Sequence, residues 1–109
     1  MPESYQAEFQ PATEDMPGIL SLAGRISYHQ APHLRAALFE AIEKTCNHQL
    51  MVKLGNVESM DTASLAVLVE GLIATHGTDS EIFLCSPSES VRRIFHLAGL
   101  DGALARCIA

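Results

Sequence analysis

Three short apolar segments separated by helix-period patterns constrain this chain more than any other feature. Gly18-Ile19-Leu20-Ser21-Leu22-Ala23-Gly24, Leu50-Met51-Val52-Lys53-Leu54 and Glu81-Ile82-Phe83-Leu84-Cys85 have strand length and strand composition. Between the first two, Leu34, Ala37, Leu38, Ala41 and Ile42 recur at intervals of three and four, with Pro32 in the first turn and Asn47 as the stop. Between the second and third, Leu65, Leu68, Val69, Leu72 and Ile73 do the same, and His76 to Ser80 reads as a turn. Strands joined through helices cannot form tight hairpins, so they pair in parallel or in a mixed sheet with the helices packed on it.

The flanks extend this pattern. Ser4 to Gln10 alternates loosely and suits an edge strand, and Pro11 to Pro17 is a turn-rich acidic link. Ser86-Pro87-Ser88-Glu89 has the order of a capping box, with a cap, proline at the first helical position and glutamate at the third. Val91, Ile94, Phe95 and Ala98 make the apolar stripe of the helix that follows. Gly99 fits a left-handed end with Leu100 as its hydrophobic contact, and Ala103 to Ile108 is a weak strand or a short helix. The expected fold is therefore α/β, a mixed sheet of about four to five strands. Three helices cover mainly one of its faces.

A chain of 109 residues, 48% of them apolar, builds one core, so residues 1–109 form a single domain with residues 1–17 as an acidic N-terminal segment. Net charge is −6, and four acids without a base (Glu3, Glu8, Glu14, Asp15) lie in that segment. The only basic pair is Arg92-Arg93, which argues against a nucleic-acid surface and reads as a solvated helix face. No apolar run approaches a membrane span, and no basic-then-apolar leader pattern opens the chain. Cys46, Cys85 and Cys107 are odd in number and lack C-x-x-C spacing, which fits a reducing, cytoplasmic setting.

Chemistry concentrates at one place. Asp61, Thr62 and Ser64 open the central helical stripe, where unpaired backbone N–H groups and the positive end of the helix dipole favour oxygen-bearing side chains. Asp61 or Thr62 caps that helix. Elsewhere His29, His33, His48, His76 and His96 have no metal-ligand spacing, Cys85 sits in an apolar strand as core, and no glycine-rich phosphate loop occurs. Neither an enzyme nor a cofactor site is expected.

Met60-Asp61-Thr62-Ala63-Ser64-Leu65-Ala66-Val67-Leu68 resembles the Met-Asp-Ser-Ser-Gly-Leu-Gly-Val-Leu motif of STAS domains in the anti-sigma-factor antagonist family. The resemblance runs over roughly residues 18–104. It includes Leu22-Ala23-Gly24-Arg25-Ile26 at a glycine turn and Ser86-Pro87, Val91, Phe95 and Gly99-Leu100 in the family's Ser-Pro to Gly-Leu pattern. It implies a STAS-like sheet and a non-enzymatic module that binds an anti-sigma-factor serine kinase, with a PP2C-like phosphatase reversing the kinase's action. Thr62 takes the position of the phosphorylated hydroxyl, with Ser64 and Ser59 as nearby alternatives. Asp61, Thr62, Ala63, Ser64, Ser27 and Arg25 take positions that face the partner. Arg25 stands for a frequent Glu, Ser27 for a common Asp, and Ser64 for a glycine. The same fold also serves as an accessory subunit of lipid-transporting ABC complexes, which is the second function the resemblance implies.

Because the cysteines and histidines carry no structural spacing, the fold should need neither metal nor disulfide. Melting in the presence of EDTA, and separately of a thiol reductant, should leave the midpoint unchanged. A drop of several degrees with either reagent would assign these residues a structural role.

Overall fold

The computed structural model describes residues 5–45 and 48–104. Four strands form one mixed sheet in the order β1-β2-β3-β4: β1 Gln6–Gln10, β2 Gly18–Ile26, β3 Gln49–Met60 and β4 Glu81–Cys85. β1 runs antiparallel to β2, whereas β2, β3 and β4 are mutually parallel. Helix α1 (Ala31–Lys44) connects β2 to β3, α2 (Thr62–Thr75) connects β3 to β4, and α3 (Glu89–Leu97) follows β4, with a 3₁₀ turn at Asp101–Leu104. Both crossovers step the same way along the sheet. Right-handed connections therefore place α1 and α2 side by side on one face.

That face holds the core. Leu20, Leu22 and Ile26 of β2 and Leu50, Val52, Leu54, Val57 and Met60 of β3 are buried against Leu34, Leu38 and Ala41 of α1 and Leu65 and Leu68 of α2. On the opposite face Ile19, Ser21, Ala23 and Met51 are half-buried, and Arg25 and Lys53 are exposed. Cys85 is buried as expected, with its Sγ 3.5 Å from the Phe83 carbonyl oxygen. Among the described residues no helix is long and apolar enough to cross a membrane.

The structure departs from the sequence expectation in four places. The strand expected to end at Leu54 runs on to Met60, through what the sequence presents as a polar link. Between Lys53 and Asn56, β3 spends three steps against two of β2, and between Val57 and Ser59 two steps against one. These two bulges change the spacing of its buried residues from two to three, which hides the alternation that identifies a strand. Next to the second bulge, Gly24 does not close β2 but continues it to Ile26, with φ at +91°, a backbone conformation that only glycine adopts without cost.

The second departure is the face of α2. The buried residues are Ser64, Leu65, Val67, Leu68, Gly71 and Thr75; Val69 and Leu72 are only half-buried, and Ile73 is 69% exposed. This helix is apolar nearly all round, so hydropathy sets its orientation poorly. Its small residues decide instead: a Cβ on Gly71 would lie 2.7 Å from a Leu38 methyl, so glycine here lets α1 and α2 approach closely.

The third departure is the cap of α3. Ser88 occupies that position, accepting from the Val91 N–H at 3.3 Å, whereas Ser86 sits in a left-handed turn at φ +52°. The Ser88 hydroxyl also donates to the Val57 carbonyl at 2.7 Å, and its N–H to the Leu54 carbonyl, so the same residue starts the helix and ties it to β3. The fourth is Ala98, which caps the far end of α3 in an exposed position rather than joining the apolar stripe. Beyond it the expected ending is present: Gly99 has φ +74°, its N–H meets the His96 carbonyl, and the Leu100 N–H meets the Phe95 carbonyl. The first strand begins at Gln6, while Ser4, the stop at Asn47 and residues 105–108 lie outside the described residues.

The orientation of α2 predicts opposite outcomes for two residues of the same sequence stripe. Leu68→Ala (1% exposed) should cost about 2–5 kcal/mol in urea unfolding. Ile73→Ala should stay within about 0.5 kcal/mol. Equal costs would mean a different helix face is buried.

Candidate functional site

Because β2, β3 and β4 point the same way, the turns that follow them gather at one end of the sheet, where parallel sheets place their sites. Two of these turns are joined by one carboxylate. Asp61 ends the extended backbone of β3 and caps α2, with Oδ1 accepting from the Ser64 N–H at 3.0 Å. Its Oδ2 accepts from the Tyr28 N–H of the β2–α1 turn at 2.7 Å, and its own N–H donates to the Ile26 carbonyl at 3.3 Å. Partial burial pushes the Asp61 carboxyl up, but hydrogen bonds from Ser64 and Tyr28 outweigh it and hold it below the usual carboxylate value.

Ser64 completes the junction. Its hydroxyl is fully buried and lies 3.1 Å from the Ile26 carbonyl and 3.3 Å from that of Ser27, so it donates back to the turn that Asp61 grips from the other side. Within that turn, the N–H and hydroxyl of Ser27 both donate to Gln30 Oε1, at 3.0 and 2.9 Å, and the His29 N–H donates to the Ser27 hydroxyl. The turn is therefore held in one shape. It leaves Tyr28 64% exposed, with its ring centroid 4.1 Å from that of His29 and the two planes tilted by 32°.

Thr62 is the first residue of α2, exposed, with its hydroxyl free of any partner among the described residues. The structure thus brings Ser27, Asp61, Thr62, Ala63 and Ser64 together and gives them different accessibility. Thr62 faces solvent, Ser27, Asp61 and Ala63 are half-buried, and Ser64 is fully buried. Arg25 lies apart on the opposite face of the sheet, in register with the exposed Ser59 and 3.3 Å from Glu58. Tyr28 and Gln30 carry no signal of their own in the sequence, and His29 enters there only as a histidine without metal-ligand spacing. Their part depends on the pairing of β2 with β3, and the only local signal is a run of polar residues between a strand and a proline-led helix.

The Asp61 clamp makes a testable pH statement. A carboxyl lowered by folding stabilises the native state above its unfolded pKa of about 3.9, and that contribution disappears as pH falls through the folded value. Asp61→Asn keeps the cap but not the charge, so wild type should exceed it in stability by a constant amount from pH 5 to 7. The gap should close below about pH 4. Asp61→Ala should cost about 0.5–2 kcal/mol at pH 7 in the same denaturation series. A gap that widens on acidification would contradict the assignment.

The STAS domain family model matches residues 6–106. Among curated proteins, the chain is 24% identical over 82 residues to the anti-sigma F factor antagonist of Paenibacillus polymyxa, covering 75% of this chain and 70% of the relative. It is 27% identical over 81 residues to the anti-sigma-B factor antagonist of Staphylococcus epidermidis, covering 74% of each. Among solved structures, an anti-sigma factor antagonist from Mycobacterium paratuberculosis superposes with a TM-score of 0.79 at 23% identity, over 96% of this chain and 86% of that one. The antagonist SpoIIAA superposes with TM-scores of 0.68 in its unphosphorylated form and 0.70 in its phosphorylated form. The identities are 20% and 17%, over 94% and 95% of this chain and 86% and 92% of those chains. With a match over nearly its whole length, and the expected sheet and helices in place, the chain belongs to the STAS domain family.

Proposed function

We propose that the protein is a phosphorylation-switched interaction module: unmodified, it binds an anti-sigma-factor serine kinase and so regulates transcription; modified on Thr62, it lets go. The observation that carries this reading is the contrast at the start of α2. Thr62 offers a free, exposed hydroxyl on a rigid helix end, while the neighbouring Ser64 hydroxyl is buried and already bonded. The names of the relatives support the kind of partner. SpoIIAA occurs in phosphorylated and unphosphorylated forms of this same fold, which supports the compatibility of a phosphoryl group with it. A PP2C-like phosphatase would restore the binding form. The protein itself performs no catalysis in this scheme.

The energetics favour a switch in binding rather than in folding. A phosphoryl group adds about −1.5 to −2 charges, which the free N–H groups and dipole of the α2 N-terminus accept, while the Asp61 carboxylate repels it. Each local effect is on the order of 1 kcal/mol, and they oppose one another. Burying the phosphate in an interface without a matched cation costs several kcal/mol. Exposed Tyr28 beside the Asp61 clamp supplies aromatic surface of the type enriched in interfaces.

The measurement is calorimetric binding to the purified serine kinase that phosphorylates this chain, with thermal melts in parallel. Phosphorylated protein should melt within a few degrees of the unmodified form and bind about two to three and a half decades more weakly. Thr62→Ala should stay folded and bind constitutively. Thr62→Glu should be folded and weakened, though less than the phosphoprotein because it carries less charge. Unchanged affinity in the phosphorylated form would reduce Thr62 to the first residue of a helix.

A further inference from the structure

The end of β3 and one side of α3 form a groove that the Thr62 reading leaves unused. Ser90, Arg93, Ile94 and Leu97 recur at helical spacing, so they share a face, and that face lines a cavity together with Ser59 and Met60. The packing residues of α3 are Val91 and Phe95, both fully buried. Leu97 is 78% exposed, more than any other large hydrophobic side chain among the described residues, and Arg93 is exposed beside it. The fold therefore needs neither side chain for its core.

The lining of this groove has the make-up of a contact surface: Met60, Ile94 and Leu97 give an apolar floor, and Arg93 with the hydroxyls of Ser59 and Ser90 gives a polar rim. Its charge is opposite to that of the chain. The protein carries −6 overall, yet Arg92 and Arg93 stand together on α3 without an acidic partner among the described residues. The groove also lies next to the Thr62 end along the chain, because Met60 in its lining directly precedes Asp61 and Thr62.

We propose that this groove is a second part of the docking surface, and that it receives a segment of the partner protein bearing an apolar side chain next to a carboxylate. The apolar group packs on Leu97, Ile94 and Met60, and the carboxylate meets Arg93. Arg is suited to this because its planar guanidinium pairs with a carboxylate through two hydrogen bonds. The partner's identity as a serine kinase rests on the preceding reading; the groove and its chemistry do not.

The test is one titration series against the purified serine kinase with full-length unmodified protein. Leu97→Ala should weaken binding about tenfold and Arg93→Glu about thirtyfold or more, in the range of interface anchors, while Arg93→Lys should keep most of the affinity. Added salt should weaken wild type more steeply than Arg93→Glu. Exposed Ile73, at the far end of α2, serves as control, and Ile73→Ala should bind as wild type does. Melts should be unchanged throughout because these side chains are exposed. Wild-type affinity in Leu97→Ala and Arg93→Glu, with Thr62→Glu weakened, would overturn the groove and leave the switch standing. Loss in the groove variants with full affinity in Thr62→Glu would do the reverse, and full affinity in all of them would overturn both.

Discussion

The handedness of the two crossovers governs everything else in this molecule. Parallel neighbours linked through a helix connect right-handedly, and β2, β3 and β4 step in one direction, so α1 and α2 have no choice of face. Their apolar sides meet the same side of the sheet and each other, which explains why one glycine, Gly71, sits where Leu38 presses against α2. The same parallel arrangement forces the turns after the strands to one end. A chemically interesting edge is thus a product of topology before any particular side chain contributes.

At that edge the side chains divide the labour by burial. Asp61 and Ser64 reach from the start of α2 into the neighbouring turn, one accepting and the other donating, and so hold two loops that are distant in sequence as one rigid body. Thr62, between them in sequence, is left outside with nothing to do structurally. Under the proposed switch, a charge added at Thr62 would break none of the hydrogen bonds that hold the helix in place. A residue that also closed a structural hydrogen bond could not accept a charged group so cheaply.

Much of this could be read from residues alone. The alternation in β2, the three-and-four spacing in α1 and the Gly99-Leu100 ending are local signals, and each corresponds to the observed element. The polar start of α2 was legible for the same reason, since capping is decided within four residues. What was not legible depended on a partner. The second half of β3 lost its alternation to two bulges, which exist only relative to β2. The buried side of α2 was fixed by small residues fitting against α1, a matter of shape that hydropathy does not record. Ser88 displaced Ser86 as a cap because it could also bond to the Val57 carbonyl, a contact made across 31 positions of sequence.

The two bulges of β3 also set how length, rather than residue type, governs the edge. Side chains along a strand change sides at every step, so each extra residue in β3 reverses the direction of all that follow it. With two such residues the reversals cancel in direction but not in reach: Met60 returns to the core, and Asp61 arrives level with Ile26 and the turn beyond. Loss of a single residue between Leu54 and Ser59 would turn Met60 outward and carry Asp61 away from Tyr28, even if every remaining side chain kept its identity. The address of Thr62 is therefore written as a count, and this stretch tolerates exchange of letters far better than a change in their number.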